Sequence, residues 1–111
     1  MIQIIGTKKC KETAKAIRSC KERNLPFQFV DLAQRSLSEG EWDSLFRAYE
    51  PLSLIDSEGA YYKKQGYSYR EFDPREELVE HPELLKTPIL RSKGRVLTCF
   101  DLEVLKSWGE A

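Results

Sequence analysis

The sequence is short of the features that most often announce a function. No apolar run is long enough to cross a membrane, and residues 1 to 20 lack the hydrophobic stretch of a signal peptide, so no membrane partner is expected and the expected location is the cytoplasm. Net charge is absent: eighteen Lys and Arg balance eighteen Asp and Glu, which removes the electrostatic basis for direct nucleic-acid binding. Cysteine is sparse, with Cys10, Cys20 and Cys99, no CxxC, and a single histidine, His81. That set supplies neither a zinc site of the usual Cys/His type nor a secreted disulfide framework, and no metal or bound cofactor is expected. There is no internal repeat, low-complexity segment or linker, and 111 residues read as one domain, 1–111, expected to be a monomer. What the inventory leaves open is thiol chemistry.

The charges that are present are unevenly placed. Residues 8 to 23 hold Lys8, Lys9, Lys11, Lys15, Arg18, Lys21 and Arg23 against Glu12 and Glu22, whereas residues 71 to 83 are acidic. The basic run surrounds Cys10. Before it, Ile2-Gln3-Ile4-Ile5 reads as a buried strand. After it, residues 11 to 23 read as a half-buried helix with Thr13, Ala14, Ile17 and Cys20 on one side, stopped at Asn24 and Pro26. Phe27 to Leu32 alternates as a second strand, which completes a βαβ unit.

Farther on, Ser38-Glu39-Gly40-Glu41 is a capping box opening a helix with Trp42, Leu45, Phe46 and Tyr49 inward, and Pro51 ends it. Leu52 to Phe72, with Gly59, Gly66 and four tyrosines, predicts loops and short helical turns; Asp73-Pro74-Arg75-Glu76 starts another helix, and Glu80-His81-Pro82 reads as a turn bearing a surface histidine. Thr87 to Arg91 and Arg95 to Thr98 predict a β-hairpin around Ser92-Lys93-Gly94, after which Asp101 caps a helix bearing Leu102, Leu105 and Trp108. The order βαβ, helices, ββα predicts an α/β thioredoxin-like fold: two halves around a mixed four-stranded sheet, with a helical insertion at about 38–85 between them.

Cys10 then falls at a helix N-terminus, where unpaired N–H groups and the helix dipole stabilise a thiolate. Lys8, Lys9 and Lys11 add positive potential, and Thr13, one turn on, can face the sulfur. The competing reading is a small core residue ending a loop. Cys20, ten residues along the same helix and so ~15 Å away, is too far for a disulfide with Cys10 and reads as packing. Thr87-Pro88 at the start of a strand calls for a cis bond or an edge position.

Nearly end to end, the chain resembles the arsenate-reductase-like (ArsC) family, which includes glutathione-dependent arsenate reductases, YffB-type proteins and Spx regulators. The resemblance rests on "IIGTKKCKETAKA", "LSEGEWDSLF", "LIDSEGAYYKK" and "HPELLKTPILRSKGRVLTCFDLEVLKSW". It implies that Cys10 is the nucleophile, that Pro88 is a cis-proline facing it, and that Cys99 follows the fourth strand on the same rim as a candidate resolving thiol. It also implies three arginines for holding an oxyanion, and here the chain departs: Asp56, Thr87 and Phe100 stand at those positions. Lys8, Arg91 and Arg95 are the remaining candidate anion-binding cations. Thr13 stands where an Spx-type CxxC would have its second cysteine.

Three functions are therefore in competition. The first is a monothiol oxidoreductase in which Cys10 acts on a small thiol or disulfide substrate, supported by Lys9, Lys11, Thr13, Thr87 and Pro88, with glutathione as the external co-substrate. The second is a non-enzymatic Spx-like regulator that docks on a protein partner. Arsenate reduction is placed last because of the missing arginines.

Overall fold

The computed structural model describes residues 2–92, 94–98 and 101–110. By their contacts the residues fall into two compact units, one formed by 1–35 and 87–111 and the other by 36–86.

The first unit is built on four strands: β1 (Ile2–Gly6), β2 (Phe27–Asp31), β3 (Ile89–Ser92) and β4 (Arg95–Leu97). Their spatial order is β2-β1-β3-β4. β1 pairs in parallel with β2, Ile4 opposite Phe29, and antiparallel with β3, Ile5 opposite Ile89 and Gln3 opposite Arg91; β4 closes the hairpin antiparallel to β3. This is the mixed four-stranded sheet expected of a thioredoxin-like fold. Ser92 extends β3 instead of belonging to the turn, and Gly94, at φ 81°, supplies the left-handed backbone the turn needs.

Two helices belong to this unit: α1 (Lys11–Glu22) and, after the described part of the second half, the helix Leu102–Glu110. Ile2, Ile4, Ala16, Cys20, Leu90, Leu105 and Trp108 form one buried cluster. The buried side of α1 is Thr13, Ala16 and Cys20, so Ala14, expected inside, is exposed and Ala16 takes its place. Positions 13, 16 and 20 follow the i, i+3, i+7 stripe of a helix, and alanine is too small to reveal that phase by itself. Asn24, in the left-handed region at φ 55°, turns the chain out of α1. Asp101 accepts from the backbone N–H of Glu103 at 3.0 Å and caps the last helix as expected.

The second unit holds α2 (Glu39–Ala48), α3 (Ala60–Lys64) and α4 (Pro74–Glu80), joined by short 3-10 turns; the last helix of the chain is thus α5. The Ser38 hydroxyl accepts from Glu41 N–H at 3.2 Å while the Glu41 carboxylate accepts from Ser38 N–H at 2.8 Å, so both halves of the capping box are present. Asp73 caps α4 through Arg75 and Glu76. Trp42, Leu45, Leu54, Tyr67, Leu78, Leu84 and Leu85 are buried. Tyr67 donates to Glu77 at 3.0 Å; burial first, then that carboxylate, pushes its phenol up to about 12.

Replacing Ser38 by Ala removes the hydroxyl that satisfies the α2 N-terminus and is expected to lower stability by about 1 kcal/mol. A denaturant midpoint unchanged from the parent, at equal m-value, would show that the box contributes nothing.

Candidate functional site around Cys10

β1 ends at Gly6, and a short loop through Thr7, Lys8 and Lys9 leads directly into α1, with Cys10 as its N-cap. Cys10 has extended backbone (φ −81°, ψ 118°) and its carbonyl accepts from Ala14 N–H at 3.1 Å, so the helix starts on it. Its side chain caps nothing and is half-buried, leaving the sulfur at the helix's positive end. Lys8, Lys9 and Lys11 are all exposed around it.

Opposite α1 lies the segment entering β3. Thr87-Pro88 is a cis peptide, Pro88 is buried, and the Cys10 thiol points to the Thr87 carbonyl at 3.7 Å. The register explains the meeting. Because β1 and β3 are antiparallel with Ile5 opposite Ile89, the residues just before β3 lie at the end of the sheet where β1 hands over to the cysteine loop.

Several influences act on the Cys10 thiol. Desolvation, the largest, pushes it up; the side chains of Thr13 and Thr87 and the backbone N–H groups of Thr13 and Glu12 pull it down, and their sum holds it below the ordinary thiol value. The 3.7 Å contact to the Thr87 carbonyl is long and favours the protonated sulfur, so the downward pull rests on the donors of the helix end together with the Thr87 side chain. The Thr13 hydroxyl is buried and has no hydrogen-bond partner of full geometry, although it acts on the thiol. A buried donor left unpaired costs about 1–3 kcal/mol. An ionised sulfur is the acceptor that relieves it.

Gly6 carries no motif and sequence reasoning passed over it. A Cβ there would lie 2.8 Å from the Thr13 Cγ2 and closer still to its hydroxyl, so only glycine lets α1 pack this tightly on the end of β1. The available signal was a glycine ending a β-branched apolar run.

Arg91 and Arg95 are not brought to Cys10. Arg91 sits opposite Gln3, two residues and therefore ~7 Å farther along the sheet than the Ile5–Ile89 pair, and donates to the Gln3 side chain at 2.9 Å. Arg95 lies beyond, opposite Ser92, with its guanidinium 5.1 Å from the centre of the Trp108 ring. The antiparallel register carries the backbone of both away from the cysteine end. Asp56 is in the second unit, where its carboxylate accepts from Glu58 N–H at 3.1 Å. Cys99 and Phe100 lie outside the described residues. Cys20 is fully buried, and burial pushes its thiol up, so it is inert packing.

Among the described residues, one group of potential metal ligands converges, Glu77, Glu80 and His81 in the second unit, with ligand atoms within 4.8 Å of one another. His81 is engaged by the Tyr61 hydroxyl at 3.1 Å and Glu77 by Tyr67, so the group is an internal network of α3 and α4. His81 is thus half-buried and held, where a surface turn was expected.

No family model and no curated protein matches the sequence. Solved structures do match. A YffB protein superposes with a TM-score of 0.83 at 18% identity, covering 96% of this chain and 97% of its own. The chain has the fold of the arsenate-reductase-related proteins. An arsenate reductase from Vibrio cholerae (TM-score 0.77, 17% identity, 96% and 95% covered) has this fold too. So does an arsenate reductase (ArsC) related protein from Brucella melitensis (0.70, 20%, 96% and 92%). The ArsC-like architecture thus runs the length of the chain at identities that speak only for the fold.

In native protein, iodoacetamide is expected to label Cys10 and spare Cys20, with a pH midpoint for Cys10 below the ~8.5 of a free cysteine, because the thiolate is the reacting form and its formation is favoured here. A midpoint at or above 8.5 would contradict the activated site.

Proposed function

We propose that the protein is a monothiol oxidoreductase. The carrying observation is Cys10 itself: a half-buried thiol on a helix N-terminus, held below its ordinary ionisation range and set against the Thr87-Pro88 segment. In the first step the Cys10 thiolate attacks one sulfur of a disulfide; the Cys10–sulfur bond forms, the substrate S–S bond breaks, and the other half leaves as a thiolate. In the second, an external thiolate attacks the mixed disulfide and returns Cys10 as thiolate, so oxidising equivalents pass from one small disulfide to another. Glutathione suits the second role: its anionic ends fit the exposed Lys8, Lys9 and Lys11. The structural neighbours' names support the same thiol chemistry, while arsenate itself is disfavoured because Asp56 and Thr87 offer no positive charge and Arg91 and Arg95 lie elsewhere.

The alternative is a regulator that docks on a protein partner, in the manner of Spx. The observation in its favour is the exposure of Tyr69 (94%) and Leu52 (63%), large side chains that a partner could cover.

Oxidised glutathione is expected to add one glutathionyl group to Cys10, visible by intact mass, removable by excess reduced glutathione, and absent in Cys10→Ser. Adduct formation no faster than on a free cysteine, or unchanged in Cys10→Ser, would defeat the enzyme reading and leave the docking one. Arsenate turnover with glutathione and glutaredoxin is expected to be undetectable; a rate matching authentic arsenate reductases would show that other cations replace the missing arginines.

A further inference from the structure

A cavity of about 390 Å³ lies between α1 and β2 in the first unit, lined by Thr7, Lys8, Thr13, Ala14, Ile17, Arg18, Lys21 and Phe29. Cys10, Thr87 and Pro88 do not line it. Its floor is apolar: Ala14 and Ile17 from consecutive turns of α1 and Phe29 from β2. Ile17 and Phe29 are only half-buried, so apolar surface remains uncovered there. Around this floor stand three exposed cations, Lys8, Arg18 and Lys21, and none has an ion pair or hydrogen bond from its side chain among the described residues. On the same helix Lys15 pairs with Glu12 at 3.6 Å, whereas Glu22, one turn from Arg18, makes no ion pair with it or with Lys21.

An apolar floor with unpaired positive charge above it complements one kind of ligand. We propose that this groove, which adjoins the Cys10 centre through Thr7, Lys8 and Thr13 but is not lined by Cys10, binds a small amphipathic organic anion, an apolar body with a carboxylate or comparable acidic group. The volume lies in the range of small-ligand pockets, roughly 300–1,000 Å³. From Ala14 to Lys21 the helix advances ~10 Å, a length that a short hydrocarbon body can cover. The apolar body covers Ile17 and Phe29. The acidic group meets Arg18 and Lys21 on one side or Lys8 on the other.

The test uses the full chain, 15N-labelled, titrated with sodium decanoate below its micelle concentration. Acetate serves as the anion without an apolar body and decanol as the apolar body without charge. Expected are saturable amide shifts confined to Lys8, Ala14, Ile17, Arg18, Lys21 and Phe29, with acetate and decanol each at least tenfold weaker. The Arg18→Glu/Lys21→Glu double variant, both positions exposed, is expected to bind decanoate at least tenfold more weakly. Lys15→Glu/Arg23→Glu, matched in charge, on α1 and at its C-terminal cap, and outside the groove, is expected to keep it. Shifts that do not saturate or fall elsewhere, decanol equal to decanoate, or equal loss in both double variants would overturn the proposal. An acidic peptide that binds the groove while decanoate does not would also overturn it, in favour of a protein partner. Glutathionylation of Cys10 is read separately, so failure here does not touch the oxidoreductase reading.

Discussion

The site depends on one close approach, the N-terminus of α1 against the end of β1. Gly6 has no side chain, and the space a Cβ would need is filled by Thr13. That packing seats Thr13 in the interior, aligns the first N–H groups of α1 with the Cys10 sulfur, and leaves a buried hydroxyl without a full partner. Antiparallel pairing of β1 with β3 then delivers Thr87-Pro88 to the same end of the sheet. A histidine base is unnecessary in such an arrangement, because fixed backbone donors already favour the charged sulfur before any substrate arrives.

Local features of the chain were legible where a single residue type has a single physical use. Ser38 with Glu41, Asp73 and Asp101 each announced a helix start, and each side chain makes the expected backbone contact. Cys10 at a strand-to-helix junction was legible for the same reason. The phase of α1 was less so: Ala14 and Ala16 are chemically identical, and the stripe through Thr13 and Cys20 is decided by packing on the sheet. Arg91 and Arg95 were near Pro88 in sequence, but nearness along a strand is not nearness to its end, and register sends them toward Gln3 and Trp108. The groove over Ile17 and Phe29 was invisible because half-buried apolar residues on a helix and a strand look like core until the crossover places them side by side.

The same scaffold thus separates two kinds of positive charge. At Cys10 it comes from the helix end and acts on the thiol. Along the outer turns of α1 it comes from side chains, Arg18 and Lys21, that have no acidic partner among the described residues. The absence of the arginines expected of an oxyanion enzyme accords with the proposed disulfide chemistry: a disulfide is neutral, and attack on it calls for a stabilised thiolate more than for a clamp on an anion. No helix among the described residues is long and apolar enough to cross a membrane.

The central claim is that the α1 N-terminus, through Thr13, lowers the pKa of Cys10 and so favours its thiolate. Ultraviolet titration of the thiolate near 240 nm in the Cys20→Ala/Cys99→Ser background, native and unfolded, and again with Thr13→Val, tests it most directly. The account predicts a native transition below the unfolded one, moved upward by Thr13→Val while the unfolded transition stays put. Coincident native and unfolded transitions, or a native transition indifferent to Thr13→Val, would contradict it.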